Sequence, residues 1–142
     1  MTDQTEVCPQ SKAKGKSLKA KGKSKEHMGD NELSERLFRF AIDVIKMLRN
    51  LKGGSELLVI KPQLIKAVTS SGANYEEAQG AVSRADFGNK VGISLKEMRE
   101  SNYWLRILHE LYPSNTEIDR LKKESYELKN ILGSICSKVT RK

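Results

Sequence analysis

Residues 70–81 read SSGANYEEAQGA, and the fold turns on whether they form a loop or a helix. Composition alone favours a loop, because Ser70, Ser71, Gly72 and Asn74 are turn formers and Gly80 follows. The flanks argue otherwise. Leu57, Leu58, Ile60, Leu64, Ile65 and Val68 run into the stretch, and another helical pattern opens at Ser83, which leaves no room for a long loop. A helix here puts Tyr75 and Ala78 on an apolar seam and presents Asn74, Glu76 and Glu77 as polar groups. Ser70, Ser71, Gly72 and Ala73 leave little bulk, so a second helix can approach closely. Gly80 then stops the helix.

Working outward, Ser55 is the expected N-cap of this helix. Pro62 falls early in it and moves the expected start of regular helix to near Lys61. Upstream, Leu33, Leu37, Phe40, Val44, Met47 and Leu51 recur at alternating four- and three-residue steps, widened by Ala41, Ile45 and Leu48. Gly53-Gly54 is expected to end that helix. Downstream, Ser83 and Asp86 form a capping pair ahead of Phe87, Val91, Leu95, Met98, Leu105 and Leu108. Trp104, Ile107 and Leu111 add a second apolar face, which implies a second contact, and Pro113 ends the helix. Ser114 with Glu117 is the expected capping box of the last helix. There Ile118, Leu121, Ser125, Leu128, Leu132, Ile135 and Val139 keep strict heptad spacing. Four helices, short links and no strand signal predict an all-α protein, an antiparallel up-and-down four-helix bundle over residues 31–142.

Residues 1–30 are different. KAKGKS occurs at 12–17 and again at 19–24, and the piece up to Met28 has seven lysines against three acids. With so little to bury, it is expected to be a disordered basic tail. The whole chain carries a formal net charge of +8, and residues 29–142 retain +4 of it. That balance favours an anionic partner. No apolar run is long enough for a membrane span, and the N-terminus lacks the apolar core of a signal peptide. Cys8 and Cys136 form no CxxC or Cys/His cluster, so neither zinc nor a disulfide framework is suggested, and a cytoplasmic location is expected.

QLIKAVTSSGANYEEAQGA (63–81), SRADF (83–87) and GISLKEMRESNYWLRIL (92–108), followed by the heptad-patterned last helix, carry a resemblance. Together they resemble the bacterial four helix bundle protein family, also called 23S rRNA intervening-sequence proteins, over about residues 31–140. The resemblance implies an up-and-down bundle that assembles into a ring-shaped homopentamer. It also implies kinship with the accessory variability protein of diversity-generating retroelements, a basic protein that binds nucleic acid and partners a reverse transcriptase. The sequence departs at DFGNK: Gly88 and Asn89 stand where the family has a bulkier apolar residue and often His.

No catalytic set emerges. Di-iron bundles need Glu-x-x-His pairs, and neither His27 nor His109 lies three residues after a Glu. Arg106 precedes His109 by three positions, too few for the Arg–x4–6–His motif of four-helix ribonucleases. No phosphate loop or Ser/His/Asp arrangement is present, and no cofactor or metal is implied. Glu76, Glu77, Glu97 and Glu100 fit polar contacts with Lys96, Arg84 and Arg99 on neighbouring helices better than acid/base work.

The expectation is a non-catalytic, ring-forming bundle that binds the RNA or DNA backbone, with a role as accessory to an enzyme such as a reverse transcriptase suggested by the resemblance. The alternative is a protein–protein scaffold with no nucleic-acid role. The candidate phosphate contacts are Lys12, Lys14, Lys16, Lys19, Lys21, Lys23 and Lys25 in the tail, with Lys61, Lys66, Arg84, Lys90 and Arg106 on the middle helices. The candidate assembly or interhelix residues are Asn74, Glu76, Glu77, Arg99, Glu100, Tyr103 and Trp104.

Overall fold

A computed structural model describes residues 30–140. They form α1 (Asp30–Arg49), α2 (Leu57–Ala78), α3 (Arg84–Leu111) and α4 (Thr116–Thr140), with no strand among the described residues. Side chains meet as an up-and-down bundle requires: Leu37 faces Gly72, Ser71 faces Ser94, Asn102 faces Ser125 and Arg36 faces Glu124. The chain is therefore an all-α antiparallel bundle in which each helix packs on its sequence neighbours and α1 closes on α4. The predicted disordered tail, with its seven lysines, lies outside the described residues except for Asp30, which is already helical.

The loop-like stretch from Ser70 is helical through Ala78. Ser71, Tyr75 and Ala78 are buried. Gly72 packs against α1, where an added Cβ would sit 3.7 Å from the Leu37 Cβ, an ordinary contact distance. The helix ends with Gln79 and Gly80 donating to the carbonyls of Glu76 and Glu77.

The heptad positions of α1 are all buried, from Leu33 to Met47, and Leu51 just beyond the helix is buried with them. Its end differs from expectation, because regular helix stops at Arg49, before the glycine pair. The last-turn carbonyls find other donors: the Asn50 side chain reaches Lys46 O, and Asn50 N–H and Leu51 N–H donate to Met47 O and Leu48 O. Just past the helix, Lys61 Nζ donates to Leu51 O at 3.0 Å. Gly53 has a steric role instead of a capping one. A Cβ there would run into the Tyr112 hydroxyl, which donates to Lys52 O at 2.9 Å.

Two further boundaries are corrected. α2 starts at Leu57, four residues before Lys61, and neither Ser55 nor the N-cap Glu56 provides a side-chain cap. Pro62 thus sits inside the helix and removes the donor for the Leu58 carbonyl, on a side where Leu58 is well exposed and water can serve instead. At α4 the cap is Asn115, not Ser114: Asn115 Oδ1 accepts from Ile118 N–H at 3.0 Å, and Glu117 turns to Arg120. Ser83 caps α3 as expected, accepting from Asp86 N–H.

Along α4, Cys136 takes the buried place expected for Ile135, which is only partly buried. A straight helix turns every 3.6 residues, so a 3.5-residue stripe drifts off the core by its last turns.

Candidate nucleic-acid interface

The seam between α3 and α4 is held by a buried polar pair. Asn102 Nδ2 donates to Ser125 Oγ at 2.9 Å, and Ser125 in turn donates to Lys122 O at 2.8 Å. Asn102 Oδ1 accepts from Arg106 Nε at 3.0 Å, which fixes that guanidinium over the seam. A helix turns about 100° per residue, and in antiparallel neighbours a one-residue step rotates both side chains towards the same outer side. Tyr103 and Tyr126, the residues after Asn102 and Ser125, therefore point outward together. They are 49% and 56% exposed.

The cations follow the same geometry. Arg99 and Arg106 lie four residues before and three after Tyr103, while Lys122 and Lys129 are placed identically around Tyr126. Arg106 lies 5.7 Å from the Tyr103 ring centroid, and the Lys129 ammonium lies 4.5 Å from that of Tyr126. Tyr103 rests edge-on against Trp104, whose Nε1 donates to Glu100 Oε2 at 3.1 Å. Arg106, Lys122 and Lys129 take part in no salt bridge among the described residues.

The opposite flank of α4 spends its charge internally. Arg36 grips Glu124 with two bonds of 2.7 and 2.9 Å and also reaches Glu127. Arg120 bridges Glu117 and Asp43, and Arg39 pairs with Glu35. A cavity of about 490 Å³ opens along this flank, but the arginines lining it are committed to carboxylates.

Of the phosphate contacts predicted on the middle helices, Arg106 belongs to the α3–α4 seam. Lys61 is committed to the Leu51 carbonyl and Lys90 to Asp86 at 3.1 Å. Lys66 and Arg84 are exposed on α2 and at the start of α3. Tyr126, Lys122 and Lys129 were missed because they lie beside the heptad core positions. The available signal was a tyrosine directly after a core serine, with lysines four before and three after.

The assembly candidates are more local than predicted. Asn74 bonds Ser70 O one turn back, Glu76 and Glu77 are exposed, and Glu100 meets Trp104 on its own helix. Tyr103 and Arg99 lie towards the α3–α4 seam. Burial, and then the Glu100 carboxylate, push the Glu97 carboxyl above its ordinary value of 4.5, against the pull of Lys96 and of Lys66 on α2. Ile93, Glu97, Glu100, Trp104, Ile107 and Leu111 recur at heptad spacing on the outer side of α3. Ile93 and Leu111 are 41% and 48% exposed, while Trp104 and Ile107 are partly buried.

His109 Nδ1 has no hydrogen-bond partner and lies 3.9 Å from Asp119 Oδ1, beyond bonding range. Among the described residues no three His, Cys, Asp or Glu side chains gather to hold a metal ion, and no helix is long and apolar enough to cross a membrane.

A family model described as 23S rRNA-intervening sequence protein matches residues 29–134. The chain is similar in structure to a protein of unknown function from the S23 ribosomal protein family of Bacteroides thetaiotaomicron. The two are 34% identical with a TM-score of 0.67, over 76% of this chain and 97% of that one. A search of curated proteins found no match.

Proposed function

The chain belongs to the 23S rRNA-intervening sequence protein family, and on that premise we propose that it binds the backbone of RNA or DNA without catalysing a reaction. The observation that carries this reading is the contrast between the two flanks of α4. One flank neutralises its arginines with carboxylates, whereas the other presents Arg106, Lys122 and Lys129, which join no salt bridge among the described residues. Cations held near an open surface attract phosphates and release counterions on binding. The lysines of residues 12–25 would add to the same electrostatic attraction.

Homo-oligomeric assembly into a ring is the second part of the reading. Its support is the outer heptad stripe of α3, which leaves Ile93 and Leu111 exposed in one copy. A ring would repeat each seam once per subunit and so strengthen its field.

Titration of a generic RNA at increasing salt tests the first part. A steep fall in affinity is expected. Absence of binding at low salt, or affinity indifferent to salt, would overturn it. Light scattering tests the second part, where a monomer mass at micromolar concentration would contradict assembly.

A further inference from the structure

Backbone binding uses the seam's cations but leaves its two exposed tyrosines without a role. Each ring has a cation over one face. Tyr103 is also propped from within by Trp104, at a centroid distance of 5.3 Å and an interplanar angle of 71°. Phe38 on α1 offers a useful contrast. It too is exposed beside an arginine, but Arg39 is paired with Glu35.

An aromatic platform beside cations that join no salt bridge among the described residues suits a base next to its phosphate. Every base has a π-face, so stacking tolerates any sequence, and arginine can join the stack. In a duplex those faces are already covered by neighbouring base pairs. We propose that the α3–α4 seam is a single-strand site, in which unpaired bases stack on Tyr103 and Tyr126 while Arg106, Lys122 and Lys129 hold the flanking phosphates. This rests on the backbone-binding reading and adds the class of nucleic acid. Glu110, one turn beyond Arg106, and Asp119, one turn before Lys123, mark where the seam turns acidic and the bound strand leaves it.

The test uses the full chain with labelled oligouridylate, oligodeoxythymidylate and a duplex of the same length. Both single strands are expected to bind about tenfold or more tighter than the duplex, and the tighter of the two identifies RNA or DNA as the source. Tyr103→Ala and Tyr126→Ala should each remove about tenfold of single-strand affinity and leave duplex affinity unchanged, whereas Tyr103→Phe and Tyr126→Phe retain it. The unmutated chain supplies a second readout, because Trp104 is its one tryptophan. Oligouridylate should change its emission, and inorganic polyphosphate should not.

Equal affinity for single strand and duplex, with no effect of the alanine variants, would overturn the single-strand site and leave backbone binding standing. Failure of all three probes at low salt would remove both.

Discussion

Ser71 and Ser94 bind each other reciprocally across the α2–α3 interface. The Ser71 hydroxyl donates to Ser94 O at 2.8 Å, and the Ser94 hydroxyl donates to Ser71 O at 2.7 Å. Both residues are fully buried, so no water competes for these bonds. Ser71→Ala and Ser94→Ala should each lower unfolding stability by about 1 kcal/mol. Ser71→Val, which replaces the bond with bulk between packed helices, should cost more. Denaturant midpoints decide this; unchanged midpoints would mean the pair contributes nothing net.

Gly72, the next residue, behaves oppositely. A Cβ there meets Leu37 at ordinary contact distance, and glycine inside a helix is unfavourable. Gly72→Ala should raise stability by about 0.5–1 kcal/mol. A lowered melting temperature would show that α1 and α2 need the glycine to approach.

The Glu97 carboxyl is pushed up by burial and by Glu100. A raised folded value means the protonated form fits the fold better. Its favourable contribution is complete below the ordinary value of 4.5 and is lost as pH rises through the folded value. Glu97→Gln should therefore melt higher than the unmodified protein at neutral pH, and the gap should close below that ordinary value. A lower melting temperature at neutral pH would show that neighbouring cations outweigh the burial.

Trp104 is partly buried, with its indole N–H held by Glu100. Trp104→Ala should cost about 2 kcal/mol in a single copy, less than the roughly 3–5 of a fully buried indole. It should also lower the mass measured by light scattering, since Trp104 sits in the outer stripe with Ile93 and Leu111. An unchanged mass would place the contact between copies elsewhere.

The fold was legible wherever burial repeats at helical spacing, and even the loop-like residues 70–78 followed the periodicity around them. Ends were less legible, because they depend on contacts from distant positions. Gly53 answers to Tyr112, and the Leu51 carbonyl just past α1 answers to Lys61 on α2. The seam was half legible. Net charge and Arg106 pointed to phosphates, but only the antiparallel docking of Asn102 on Ser125 brings Tyr103 and Tyr126 to one side. The cations that look equivalent in sequence separate once their partners are visible: Lys90 pairs with Asp86, whereas Lys129 lies over the Tyr126 ring and joins no salt bridge among the described residues.

The most direct test of the central claim is the salt dependence of single-strand binding by the full chain with Arg106, Lys122 and Lys129 all changed to Gln. Each phosphate contact on a single strand adds about 0.7 to the slope of log affinity against log salt. Loss of the three should weaken binding and flatten that slope by about 2. An affinity and slope equal to those of the unmodified chain would contradict the account and move the binding away from the α3–α4 seam.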